Sequence, residues 1–244
     1  MTGGPLRGTD GHRAGEIRTH TRETVRTGRY ALVGADPGSA RRIWFVLHGY
    51  GGLAARFLRA FSGIVPADTC VVAPEGLSRF YHEMPRLDGA HLERVGATWM
   101  TREARELDIA DTMRWLDGVH EDVLAPAREG GRSVSCGLLG FSQGVATAMR
   151  WAAEGAIQPQ CFVAWAGGLA TDVHAQRFRD KVGLASMMMV AGEQDGFINA
   201  RLRSTLLETL RGYNAGVREI LFSGEHTLDP GVLTMLLREL PTND

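Results

Sequence analysis

Ile43-Trp44-Phe45-Val46-Leu47 is apolar at every position. A strand with one wet face alternates apolar and polar residues, so a run like this needs cover on both faces. Thr69 to Ala73, Val134 to Leu139, Cys161 to Trp165 and Ser186 to Ala191 read as strands of the same kind, and Val217 to Phe222 as one more. Between them lie stretches with helical spacing. One covers about Ala54 to Ser62. A second begins at Thr101, with Ile109, Met113 and Leu116 on its buried stripe. Gln143 to Ala153 is rich in alanine and suits close approach to a sheet, and a further helix carries Leu202, Leu206, Leu207 and Leu210. The last helix opens at Asp229-Pro230, a cap followed by proline at the first helical position, and is expected to bury Val232, Met235 and Leu236. Alternation of this kind folds as an α/β domain: a mostly parallel central sheet with helices on both faces.

At 244 residues the chain fits one large domain. Residues 1–14 read as a flexible N-terminal segment and residues 15–244 as a single domain. Ile17 to Thr24 and Tyr30 to Val33 alternate as two antiparallel edge strands would. A hydrophobic content of 44%, a charged content of 23% and a net charge of −1 suit a protein with a full core. They argue against a nucleic-acid surface. No apolar run approaches the ~18 residues of a membrane span. The three cysteines, Cys70, Cys136 and Cys161, all fall in predicted strands without metal-ligand spacing. They read as reduced core residues of a cytoplasmic protein, with no metal and no cofactor implied.

The chemistry concentrates just past the strands, where open parallel sheets place their functional groups. Gly140-Phe141-Ser142-Gln143-Gly144 follows one strand and opens a helix. A serine on such a turn is exposed and oriented for attack, and the two glycines allow strand and helix to touch. Asp195 follows the next-to-last strand, and His226 follows the last. In the order Ser142, Asp195, His226 these residues supply a nucleophile, a group that orients the base, and a base. Glu193 is the rival acid. His226 is one of eight histidines, selected by its place after the last strand. Two backbone N–H groups should bind the oxyanion, one from Gln143 and one from the turn Leu47-His48-Gly49-Tyr50-Gly51-Gly52. By itself that turn also reads as a simple tight turn.

Together, Gly140 to Gly144, His48-Gly49-Tyr50-Gly51, Ala191 to Asp195 and Gly224-Glu225-His226 resemble the phospholipase/carboxylesterase family of α/β-hydrolases, which includes bacterial carboxylesterases and acyl-protein thioesterases. The resemblance covers roughly Arg42 to Leu240. It implies the α/β-hydrolase fold with no large cap domain, a Ser142–Asp195–His226 triad, and an oxyanion hole from the N–H groups of Tyr50 and Gln143. The activity implied is hydrolysis of small or medium carboxylic esters through an acyl-enzyme. A thioesterase or lysophospholipase on the same scaffold, or a slow-turnover ligand-binding homologue, is the alternative. Tyr50 stands where the family often has a small aliphatic residue, and Glu75 to Trp99 matches the thioesterase branch poorly.

That stretch belongs to a long irregular segment, Pro74 to Met100, read as a wall over a pocket. Phe80, Tyr81, Trp99 and Met100 are its candidates for contact with a small-molecule ester. Trp99 also reads as core, and His82, His91, Arg79 and Arg86 could touch substrate. An exposed apolar face on this segment would point to a homodimer.

Overall fold

A computed structural model describes Ile17, residues 19–83 and residues 94–241. The expected flexible segment, residues 1–14, and the substrate candidates Arg86 and His91 lie outside the described residues.

The main sheet holds β1 (Tyr30–Gly34), β2 (Arg42–Leu47), β3 (Thr69–Pro74), β6 (Ser135–Phe141), β7 (Cys161–Trp165), β8 (Ser186–Gly192) and β9 (Arg218–Phe222). Their spatial order is β1-β3-β2-β6-β7-β8-β9, and every pairing but that of β1 with β3 is parallel. β4 (Ser78–Tyr81) and β5 (Val95–Thr98) form a separate antiparallel pair. The helices are α1 (Ala54–Phe57), α2 (Arg105–Glu129), α3 (Gln143–Glu154), α4 (Ala175–Val182), α5 (Ala200–Arg211) and α6 (Pro230–Glu239). This is the α/β-hydrolase architecture. No cap domain stands among the described residues.

The all-apolar strands behave as their composition requires. Ile43, Phe45 and Leu47 join a core under α2 and α3, while Trp44 and Val46 join a second core with Phe61 and α6. The three cysteines are free and buried, and burial pushes each thiol up to about 12. Asp229 caps α6 by accepting the Val232 N–H at 2.8 Å. That helix buries Leu233, Leu236 and Leu237, whereas Met235, expected inside, is 39% exposed.

Two further expectations fail. The described residues of Ile17 to Thr24 form no strand; Ile17 is 94% exposed, so its alternation has no surface to cover. β1 pairs instead with β3, Tyr30 opposite Pro74. Nor is Pro74 to Met100 wholly irregular, because β4 and β5 lie inside it.

The chain leaves β2 for β3 on one side and reaches β6 on the other, so the strand order reverses between β2 and β6. Such a reversal opens a crevice at the carboxyl ends of the strands. Leu47 pairs with Gly140 there, bringing the turn at His48 beside the turn at Ser142.

Candidate active site

Ser142 sits at φ 54°, ψ −119°, between β6 and α3. Non-glycine residues occupy positive φ only at a cost, of order 1–3 kcal/mol, met by the surrounding packing. That packing is close. A Cβ on Gly140 would lie 2.5 Å from Gly144 O, and one on Gly144 would lie 2.2 Å from Leu47 O. The Ser142 N–H donates to Trp165 O at 2.9 Å, and Ser142 O accepts the Val145 N–H at 3.0 Å.

β8 and β9 end side by side. The Gln194 N–H donates to Gly224 O at 2.9 Å, and a Cβ on Gly192 would meet Gly224 O at 2.3 Å. This contact joins the loops carrying Asp195 and His226. His226 Nδ1 lies 2.8 Å from Asp195 Oδ2. The other carboxylate oxygen accepts the Phe197 and Ile198 N–H groups at 2.8 and 3.0 Å. A carboxylate can only accept these bonds, so Nδ1 carries a proton, and in the neutral ring this tautomer leaves the lone pair on Nε2. The ring packs between Phe141 and Phe197, with centroids 5.0 and 4.7 Å away. Glu193, the rival acid, is exposed.

The turn after β2 is held from three sides. Gly52 N–H donates to Gly49 O at 3.0 Å, Gly51 N–H to Ala97 O at 2.9 Å, and Ala97 N–H to Gly52 O at 3.0 Å. Gly49 abuts the nucleophile, since a Cβ there would lie 3.0 Å from Ser142 Cβ. His48 is fully buried; its Nε2 accepts the Gly76 N–H at 3.0 Å, so its Nδ1–H donates to Gly49 O at 2.8 Å. Burial holds its pKa below the ordinary histidine value, keeping the ring neutral. Trp99 stacks on this ring at 4.6 Å and donates from Nε1 to His48 O at 2.7 Å. The Gln143 side chain closes the frame: Nε2 donates to Thr98 Oγ1 at 2.9 Å, and Oε1 accepts the Trp99 N–H at 3.3 Å. The β4–β5 pair therefore braces the turn from behind. Among the described residues, no backbone carbonyl takes the N–H of Tyr50 or Gln143.

Ser142, Gln143, Tyr50, His226 and Met100 line one cleft of about 590 Å³. Of the other expected pocket residues, Trp99 is 2% exposed and belongs to the brace, while Phe80 stacks on Tyr50 at 5.0 Å outside the cleft. Tyr81 is 54% exposed and does not line the cleft, His82 packs on Phe80 with ring centroids 5.1 Å apart, and Arg79 lies 3.7 Å from the buried Glu75. Tyr50 does not fill the interior; it is 65% exposed at the rim. The cleft also holds residues that sequence reading missed: Phe197, Ile198, Arg105 and Arg150. Arg150 shares a helical face with Gln143 and Ala146, a spacing that could have marked it. A second groove of about 610 Å³, under residues 21–26, contains none of Ser142, Asp195 and His226.

No protein-family model and no curated protein matches the chain. Solved structures do share its fold. Esterase PE8 aligns with a TM-score of 0.61 at 21% identity, over 88% of this chain and 100% of its own. A phospholipase/carboxylesterase from Dyadobacter fermentans aligns with a TM-score of 0.60 at 16% identity, over 88% and 99%. Acyl-protein thioesterase 2 from Zea mays gives 0.62 at 14% identity, over 87% and 97%. The chain has the α/β-hydrolase fold of these proteins.

Proposed function

We propose that this protein is a serine hydrolase of the phospholipase/carboxylesterase type, cleaving carboxylic esters through an acyl-enzyme on Ser142. The observation that carries the reading is the 2.8 Å contact of His226 Nδ1 with Asp195, made by a histidine that lines the same cleft as Ser142. In this reading His226 Nε2 takes the Ser142 hydroxyl proton as Oγ bonds to the ester carbonyl carbon. The carbonyl oxygen, now an anion, accepts hydrogen bonds from the N–H groups of Tyr50 and Gln143. His226 then delivers the proton to the departing alcohol oxygen, leaving the acyl group on Ser142. Water repeats the sequence, with His226 as base, to release the acid. Asp195 holds the imidazole and balances its transient charge.

The cleft volume, about 590 Å³, suits a small or medium acyl chain. The buried free thiols suit a reducing, cytoplasmic setting. No helix is long and apolar enough to cross a membrane among the described residues. The test is hydrolysis of 4-nitrophenyl acetate, butyrate and octanoate by the wild type and by Ser142→Ala. Turnover in the wild type, lost by about 10⁴-fold or more in the variant, is expected. Activity within tenfold of wild type in the variant would overturn the assignment of Ser142.

A further inference from the structure

The cleft beside Ser142 is charged at one end. Arg105 opens α2, Arg150 lies two turns into α3, and both line the cleft with Ser142 and His226. Asp172, on the loop after β7, holds both. Arg150 donates from Nε at 3.1 Å and from Nη2 at 2.8 Å to Oδ1, and Arg105 donates from Nη2 to Oδ2 at 2.8 Å. Arg150 Nη1 makes no hydrogen bond to a described residue.

A buried cation needs a counter-charge, and Arg150 is 4% exposed. One carboxylate serves two guanidiniums here. Burial by itself pushes the Asp172 carboxyl up, but hydrogen bonds and charge from Arg150, with a hydrogen bond from Arg105, bring it down to about 2. It is therefore already an anion at neutral pH, and a positive charge is left over. Glu106 accepts from Arg105 Nη1 at 3.5 Å, but it is 79% exposed, so water screens its charge and it offsets the surplus only in part.

Position and backbone agree with this reading. Gln143, Ala146 and Arg150 fall on one face of α3 and all line the cleft. The helical rise of ~1.5 Å per residue sets the Arg150 Cα ~10 Å along the axis from Gln143. Helical side chains lean toward the N-terminus, the end of α3 that follows Ser142. Among the described residues, the non-glycine positions with positive φ are Ala104 at 49°, Ser142 at 54° and Ala166 at 48°. Ala166 lines the cleft beside Ser142, and Ala104 immediately precedes Arg105. Strained backbone thus gathers around this cleft, next to the arginine as well as at the nucleophile.

We propose that Arg105 and Arg150 receive a carboxylate carried by the substrate a few bonds from its scissile carbonyl, so that the preferred esters are anionic rather than neutral. A single surplus charge matches a carboxylate monoanion better than a phosphate dianion, and the guanidinium fork fits its two oxygens. The identity of the ester rests on the esterase reading above; the anion site does not.

The test compares monoethyl glutarate with ethyl pentanoate, and 4-acetoxybutanoate with butyl acetate, by proton release. The first pair places the carboxylate on the acid side, the second on the alcohol side. In at least one pair the anionic ester should have the higher kcat/KM. Arg105→Gln should shrink that ratio by about tenfold, the worth of a charge-assisted hydrogen bond. A ratio within one protein cancels any loss of folded enzyme. Calorimetric titration with glutarate reads the anion site without turnover, and Arg105→Gln should weaken that binding too. Neutral esters preferred in both pairs, with no heat from glutarate, would overturn the anion site and leave the esterase reading intact. Glutarate binding that weakens in Arg105→Gln, with no ester hydrolysed, would support the anion site and overturn the esterase reading. Inorganic phosphate binding more tightly than glutarate would overturn the choice of a carboxylate.

Discussion

Asp195 meets His226 through one carboxylate oxygen, Oδ2 to Nδ1 at 2.8 Å, while its other oxygen is held by the N–H groups of Phe197 and Ile198. The carboxylate is thus fixed before any substrate arrives. Asp195→Asn would set an amide against the ring and favour the wrong tautomer, so kcat should fall by about 10⁴-fold. Glu193 is exposed and its backbone N–H is tied to Phe222 O at 2.9 Å, so Glu193→Gln should leave kcat near wild type. Steady-state kinetics of both variants checks the choice of acid; a larger loss in Glu193→Gln would reverse it.

Gly144 marks the closest approach of α3 to the end of β2. An added Cβ would lie 2.2 Å from Leu47 O and 2.8 Å from His48 O, and backbone oxygens have no rotamer by which to move aside. Gly144→Ala should destabilise the protein by about 3 kcal/mol, as overpacking does at rigid sites. For a chain of this size that lowers Tm by about 6–12 °C, which calorimetry would read directly.

His48 and His120 are both buried, and burial holds both below the ordinary histidine value of 6.5. Below that pH the unfolded chain binds more protons than the folded one. Their contribution to stability is therefore full above about 6.5 and is lost as pH falls. Protonating His48 would also break its bond from the Gly76 N–H. Urea midpoints measured from pH 7.5 to 5.5 should decrease, and His48→Gln, which cannot titrate, should flatten the decline. An unchanged slope in that variant would contradict the role of His48.

Much of the scaffold was legible because burial on both faces forces an unmistakable composition. Cys161 to Trp165 is a strand with the expected ends, and Ser142 stands at the expected turn. The close approaches at Gly140 and Gly144 follow from the same motif. The β4–β5 pair was hidden because Val95-Gly96-Ala97-Thr98 is short and scarcely hydrophobic. Gly96 is small for a tertiary reason: a Cβ there would lie 2.7 Å from Gly51 Cα, on the turn it braces. Trp99 could be weighed as core or pocket from its sequence, but only its stacking on His48 assigns it to the brace. Arg105, Arg150 and Asp172 come from three separate segments, so no local pattern announces their meeting.

Labelling with a fluorophosphonate probe, read by intact mass and peptide mapping, tests Ser142 most directly. The probe needs an activated serine but no particular alcohol or acyl chain. One adduct per chain on Ser142, absent from a folded Ser142→Ala variant, is the predicted result. No adduct on the folded wild type, or one on a different residue, would contradict Ser142 as the nucleophile.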